Sequence, residues 1–180
     1  SPVGSGDRNG HGTHISGTIA ATDPNIGVAP GCKFVHGKAL SDGGSGYGTW
    51  IAAAIRWCVE QGAEIVSMSL GSSGPDQTII DAMREVAAKG AWVVAAAGNS
   101  GAGTVDVDWP GRSEHCISVA ALNMDLTPAS FSSAGDKIDT SGPGVNIIST
   151  RSGGGLVSMS GTSMACPWVA GGLGLFRSAL

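Results

Sequence analysis

The chain has 180 residues, 30 of them glycine, and 14 acidic against 10 basic side chains leave a net charge of −4. Only 13% of residues are charged, against ~25% in an ordinary soluble domain, while 42% are hydrophobic, so a disordered, charge-rich chain is excluded. Eight prolines without a three-residue glycine period exclude a collagen-like chain, a pI near 5.4 without a basic run argues against a nucleic-acid surface, and no apolar run approaches the ~20 residues that span a bilayer.

The opening Ser1-Pro2-Val3-Gly4-Ser5-Gly6 has neither a basic nor an apolar region, so no signal peptide is read there. Asn9-Gly10-His11-Gly12-Thr13-His14 precedes a helix of small residues, and Thr22-Asp23-Pro24-Asn25 reads as a capped turn rather than a cation loop. Residues 33–39 read as a first strand. Over 50–60, Ile51, Ile55, Cys58 and Val59 fall on one helical face, and 64–70 form a second strand. Asp76 then caps a helix whose Ile79, Met83, Val86 and Ala87 share a face and which Gly90 ends. Strands follow at 91–97 and 116–120. Beyond them the chain is rich in Ser, Gly and Pro, with β-like pieces at 137–140, 146–149 and 156–159 and a last helix after Ser163.

Short apolar runs alternating with amphipathic helices predict an α/β fold, one mostly parallel sheet covered on both faces. In such sheets ligands sit at the carboxyl ends of strands, which directs attention to residues 69–71 and to Gly98-Asn99. The four cysteines contain no C-x-x-C and read as buried thiols with at most one disulfide.

Three segments place one reactive side chain among small residues: His11 in its glycine-rich turn, Asn99 after Ala96-Ala97-Gly98, and Ser163 within Gly161-Thr162-Ser163-Met164-Ala165. Taken singly, each has an ordinary explanation, respectively a surface or capping histidine, a turn asparagine and a helix cap. Their joint occurrence carries the argument. His11 and His14 lack the H-E-x-x-H pattern of a zinc protease, and no G-x-S-x-G elbow supports an α/β-hydrolase esterase.

From Asp7 onward the chain resembles the subtilisin-like serine proteases, the subtilases. Asp7 to Thr18 is similar to that family's histidine block, Val66-Ser67-Met68-Ser69-Leu70-Gly71 to its substrate-binding strand, and Ala95-Ala96-Ala97-Gly98-Asn99 to its oxyanion block. Phe131-Ser132-Ser133 and Gly142-Pro143-Gly144-Val145 match intermediate signatures, and Ser160 to Pro167 matches the serine block. The resemblance implies a three-layer α/β sandwich and a serine endopeptidase acting on extended polypeptides. Ser163 would be its nucleophile, His11 its general base and then acid, and Asn99 with the Ser163 N–H its oxyanion hole. Gly44, Ser45 and Gly46 with Ser69, Leu70 and Gly71 would flank the substrate backbone. Trp109-Pro110 resembles the family's aromatic-proline step, often cis, which would put Asp108 at the pocket for the residue before the scissile bond and favour Lys or Arg there.

Two departures from the family pattern stand out. The triad aspartate belongs on an early strand, and Asp7 corresponds to a position inside the histidine block instead; the family also continues beyond the serine helix. Residues 1–180 therefore read as a partial catalytic domain. A segment upstream, on the same precursor or a separate chain, is expected to supply the acid and a strand. The alternative is a catalytically inactive fragment that binds peptide or a partner chain. The resemblance further implies secretion, a possible pro-segment and no cofactor for the chemistry; structural calcium has no clear site. Cys166, three residues from Ser163, is expected to affect the site when oxidised, and Trp168 stands where many relatives have histidine.

Overall fold

The computed structural model describes residues 6–103 and 107–180; residues 1–5, from the stretch read for a targeting signal, lie outside them. Strands β1 (Ile65–Met68), β2 (Trp92–Ala96), β3 (Ile117–Leu122) and β4 (Thr140–Pro143) form a parallel sheet in that order. Val66 pairs with Val93, Val94 with Ile117 and Val119 with Thr140. An antiparallel pair, β5 (Ile147–Thr150) and β6 (Leu156–Met159), stands apart from it. The helices are α1 (His11–Ala20), α2 (Gly48–Glu60), α3 (Gln77–Ala88) and α4 (Thr162–Ser178). Among the described residues no helix is long and apolar enough to cross a membrane.

Successive side chains of a strand point to opposite faces, and β2 shows how that builds three layers. Val93 and Ala95 join a core with Ile51, Ala52 and Ile55 of α2 and Ile79, Ala82, Met83 and Val86 of α3. Val94 and Ala96 face the other way, onto Ala165, Cys166 and Ala170 of α4. The expected sandwich is present, with α2 and α3 on one face and α4, backed by α1, on the other.

Local signals account well for α3. The Asp76 carboxylate accepts the N–H groups of Thr78 (2.9 Å) and Ile79 (3.4 Å), satisfying donors that the first turn leaves open. At the other end Gly90 adopts φ +90°, its N–H bonds to Ala87 O and the N–H of Ala91 reaches Val86 O, the paired bonds of a Schellman stop. The buried face differs by one residue from expectation. Ala87 is exposed and Ala82 is fully buried, because the stripe that meets α2 runs through Ile79, Ala82, Met83 and Val86.

Three other expectations need correction. Residues 33–39 form no strand; Phe34 and His36 stack in solvent with ring centroids 4.9 Å apart. This segment lies against α2 instead, so close that a Cβ on Gly37 would come within 3.0 Å of Ala54 Cβ and Cys58 Sγ. The strand sought at 137–140 begins only at Thr140. Before it, Asp139 clamps Ser118, taking its N–H at 2.8 Å on the carboxylate and donating to its carbonyl at 3.1 Å. All four cysteines are free thiols, and Cys32 is exposed.

Candidate active site

The start of α1 is built by Asp7. One carboxylate oxygen accepts the N–H groups of Asn9 (3.1 Å) and Gly10 (2.8 Å), and the other takes the N–H and hydroxyl of Thr13, both at 2.7 Å. These bonds hold its carboxyl below its ordinary value, outweighing the opposing effect of partial burial. Asp7 thus caps the helix, in agreement with its place in the histidine block. Farther along, α1 lies directly on β5: His14 Nε2 donates to Ile147 O (2.9 Å), Ser149 Oγ to His14 O (2.7 Å) and Thr150 Oγ1 to Thr13 O (2.8 Å). A Cβ on Gly17 would overlap the hydroxyls of Ser149 and Thr150, so only glycine permits this approach.

His11 is the first residue of α1 and half-buried. Burial and neighbouring His14 hold its imidazole below the ordinary histidine value, with Asp7 pulling weakly the other way. Among the described residues its ring has no hydrogen-bond partner.

Ser163 is the second residue of α4, so both His11 and Ser163 open helices. Its hydroxyl is not bonded to His11; it donates at 3.4 Å to Ser69 O, just beyond β1. Ser69 answers with its own hydroxyl, which donates to Ser163 O at 2.9 Å. The reason lies one turn on. Pro167, inside α4, has no N–H for the carbonyl four residues earlier, which is that of Ser163, and Ser69 occupies the vacant acceptor.

Asn99, exposed just past β2, is oriented by the residue before the serine. The Thr162 N–H (2.8 Å) and Thr162 hydroxyl (3.1 Å) both donate to Asn99 Oδ1, and the same hydroxyl accepts the Gly98 N–H at 3.1 Å. Two donors at one atom identify it as the carbonyl oxygen, so Nδ2 is left as a donor without an acceptor among the described residues. Sequence reasoning passed over Thr162 inside its motif. Its burial at 1% exposure, which sequence does not reveal, marks a hydroxyl that must find partners.

Ser163, Thr162, Asn99, Ser100, Gly98, Ala96, Leu70, Gly71 and Asp108 line one cavity of about 270 Å³ at the carboxyl ends of β1 and β2. Asp108 is fixed through its backbone: its N–H bonds to Ala97 O (2.8 Å), and Ser72 and Trp109 exchange two bonds beside it. The Trp109-Pro110 peptide is cis, as the resemblance anticipated. The Asp108 carboxylate lies against Gly98, where a Cβ would overlap it, and burial pushes its carboxyl above the ordinary value.

Gly44, Ser45 and Gly46 stand outside this cavity. They belong to an exposed turn closed by Ser41 N–H to Ser45 O (2.8 Å) and Gly44 N–H to Ser41 O (2.9 Å), with Gly44 at φ +86°. Asp23 accepts the backbone and side-chain N–H groups of Asn25 at 2.9 and 3.0 Å, the capped turn expected there. Cys166 is fully buried, 3.7 Å from Ser67 Oγ, and burial pushes its thiol up to about 11. Such a thiol is shielded from oxidants in solution.

A serine hydroxyl, its own helix N-terminus and an oriented carboxamide around one cavity at the strand ends of an α/β sheet define a layout for acyl-transfer chemistry. The family comparison agrees: the peptidase S8 pattern, described as the subtilase family, matches residues 3–180, and the chain belongs to that family. It is 41% identical over 174 residues to Subtilisin Savinase of Lederbergia lenta, covering 95% of this chain and 64% of that protein. It is likewise 41% identical over 177 residues to an intracellular serine protease of Paenibacillus polymyxa, covering 95% of this chain and 54% of that protein. Among solved structures, a cold adapted subtilisin-like serine proteinase superposes with a TM-score of 0.90 at 35% identity, over 97% of this chain and 63% of that one. Sphericase gives 0.85 at 40% identity, over 94% and 63%. The chain thus spans less than two thirds of the length of these relatives.

Proposed function

We propose that this chain is the core of a serine endopeptidase that cleaves extended polypeptides through an acyl-enzyme on Ser163. The observation that carries the reading is that Ser163 and Asn99 line one cavity, with Asn99 Nδ2 left as an open donor among the described residues once Thr162 has taken Oδ1 with two bonds. In this reading His11 accepts the Ser163 proton as the hydroxyl oxygen attacks the peptide carbonyl. The oxyanion receives hydrogen bonds from Asn99 Nδ2 and the Ser163 N–H. Protonated His11 then gives its proton to the leaving amine, and water, deprotonated in turn by His11, releases the acyl group and restores the serine. To donate to His11, the hydroxyl must first give up its bond to Ser69 O. Residues 69–71 and 44–46 flank the substrate backbone as added strands.

The carboxylate that orients His11 comes, on this proposal, from polypeptide outside residues 1–180, on the same precursor or a separate chain. Two observations support it: the Asp7 carboxylate is occupied by the cap of α1, and the His11 ring is without a partner among the described residues. A pro-segment is a further partner of the precursor. No cofactor enters the chemistry.

The test is labelling of the full-length protein with a fluorophosphonate, located by mass spectrometry. Stoichiometric modification of Ser163, absent in Ser163→Ala and accompanied by peptide hydrolysis, is the expected result. A folded full-length protein that neither labels nor hydrolyses peptides overturns the reading in favour of a binding module.

A further inference from the structure

We propose that Asp108 makes the cavity beside Ser163 a receptor for a cationic side chain, the arginine or lysine immediately before the bond that Ser163 attacks; the inference rests on the endopeptidase reading above. Among the described residues, Asp108 is the only ionisable side chain on the cavity wall. Its carboxylate has little freedom to withdraw. The backbone is held by the bond to Ala97 O and by the Ser72–Trp109 bridge, while the side chain lies over Gly98 and within 3.4 Å of the position a Cβ on Gly71 would take. Larger residues at either glycine would fill the space between the carboxylate and the rest of the wall.

No cation of the described chain neutralises this group. The neighbouring Arg112 meets Asp108 through the backbone, its N–H donating to Asp108 O at 3.0 Å, and among the described residues the Asp108 carboxylate has no ion pair or side-chain hydrogen bond. Partial removal from water without a partner is unfavourable for a carboxylate, as the raised carboxyl value reflects, and a cation entering the cavity relieves it. The rest of the wall suits the stem of such a side chain. Leu70 and Ala96 offer apolar surface to its methylenes, and about 270 Å³ holds one side chain rather than a larger ligand. An aspartate at the base of a protease pocket selects arginine and lysine on an unrelated fold by the same chemistry.

The full-length protein is assayed with peptides identical except for Arg, Lys, norleucine or Glu before the scissile bond. Arg and Lys are expected to exceed norleucine in kcat/KM on the order of 10- to 100-fold, the range of a charge-assisted contact. Asp108→Asn is expected to collapse that ratio toward one, and Asp108→Lys to shift preference to Glu. Equal cleavage, a norleucine preference, or a ratio that survives Asp108→Asn overturns the inference while leaving the endopeptidase reading in place. If no peptide is cut, benzamidine binding by calorimetry decides independently. Binding lost in Asp108→Asn supports the cationic receptor with the protease reading overturned, and absent or unaltered binding overturns the receptor.

Discussion

Thr162 meets Asn99 at a single atom, Oδ1, with both its N–H and its hydroxyl, and thereby decides which end of the carboxamide faces the cavity beside Ser163. Truncating Asn99 to Ala removes the donor itself. The expected loss is about 10²–10³ in kcat with little change in KM, a range for which a subtilisin is itself the worked case. A loss confined to KM would show that Asn99 holds substrate rather than transition state.

Thr162→Val is a finer probe because the backbone bond to Asn99 remains. It should lower kcat on the order of tenfold, the weight of one hydrogen bond, with Thr162→Ser recovering most of the loss. Equal damage from Val and Ser would assign Thr162 to packing alone.

Ser69→Ala leaves the Ser163 carbonyl without the donor that compensates for Pro167. About 1–3 kcal/mol of stability should be lost, measurable in urea unfolding. Combining it with Pro167→Ala, which returns an N–H to the helix, should recover part of that loss; strictly additive effects would disprove the connection.

The His11 imidazole should titrate below the ordinary histidine value in the chain of residues 1–180, because burial and His14 both disfavour the cation. A carboxylate brought to its ring stabilises that cation, so in the full-length protein the value should move up. The sign is fixed by the base needing to be neutral: the acid limb of kcat/KM moves to higher pH as the imidazole value rises. Histidine NMR titrations of the two forms that coincide would refute an orienting acid from outside these residues.

Gly17→Ala forces a methyl group into the hydroxyls of Ser149 and Thr150 and lifts α1 from β5. Overpacking of this kind costs about 1–3 kcal/mol. Because His11 opens the same helix, activity measured well below Tm should fall with stability; unchanged activity would show that α1 tolerates the shift.

Much of this architecture was legible where its signals are local. Asp76 and Gly90 delimit α3 with bonds made within a few residues, so spacing alone suffices. Residues 33–39 show the limit: an apolar run becomes a strand only beside another strand, and this one meets α2 instead. His11, Asn99 and Ser163 stood out as motif residues, and two of them line a common cavity. Thr162, and Ser69 as the partner of Pro167, did not. Their contribution is set by groups 63 and 94 residues away, a separation no local pattern encodes.

The cavity wall joins the ends of two strands, a loop near residue 108 and the first turn of α4. Such a centre exists only while the whole assembly is closed. In a working endopeptidase, any copy that opens forfeits its own competence and becomes food for intact neighbours. Loss of catalyst on storage would then accelerate with concentration, and the selective pressure behind contacts as distant from the chemistry as α1 on β5 would be resistance to self-digestion.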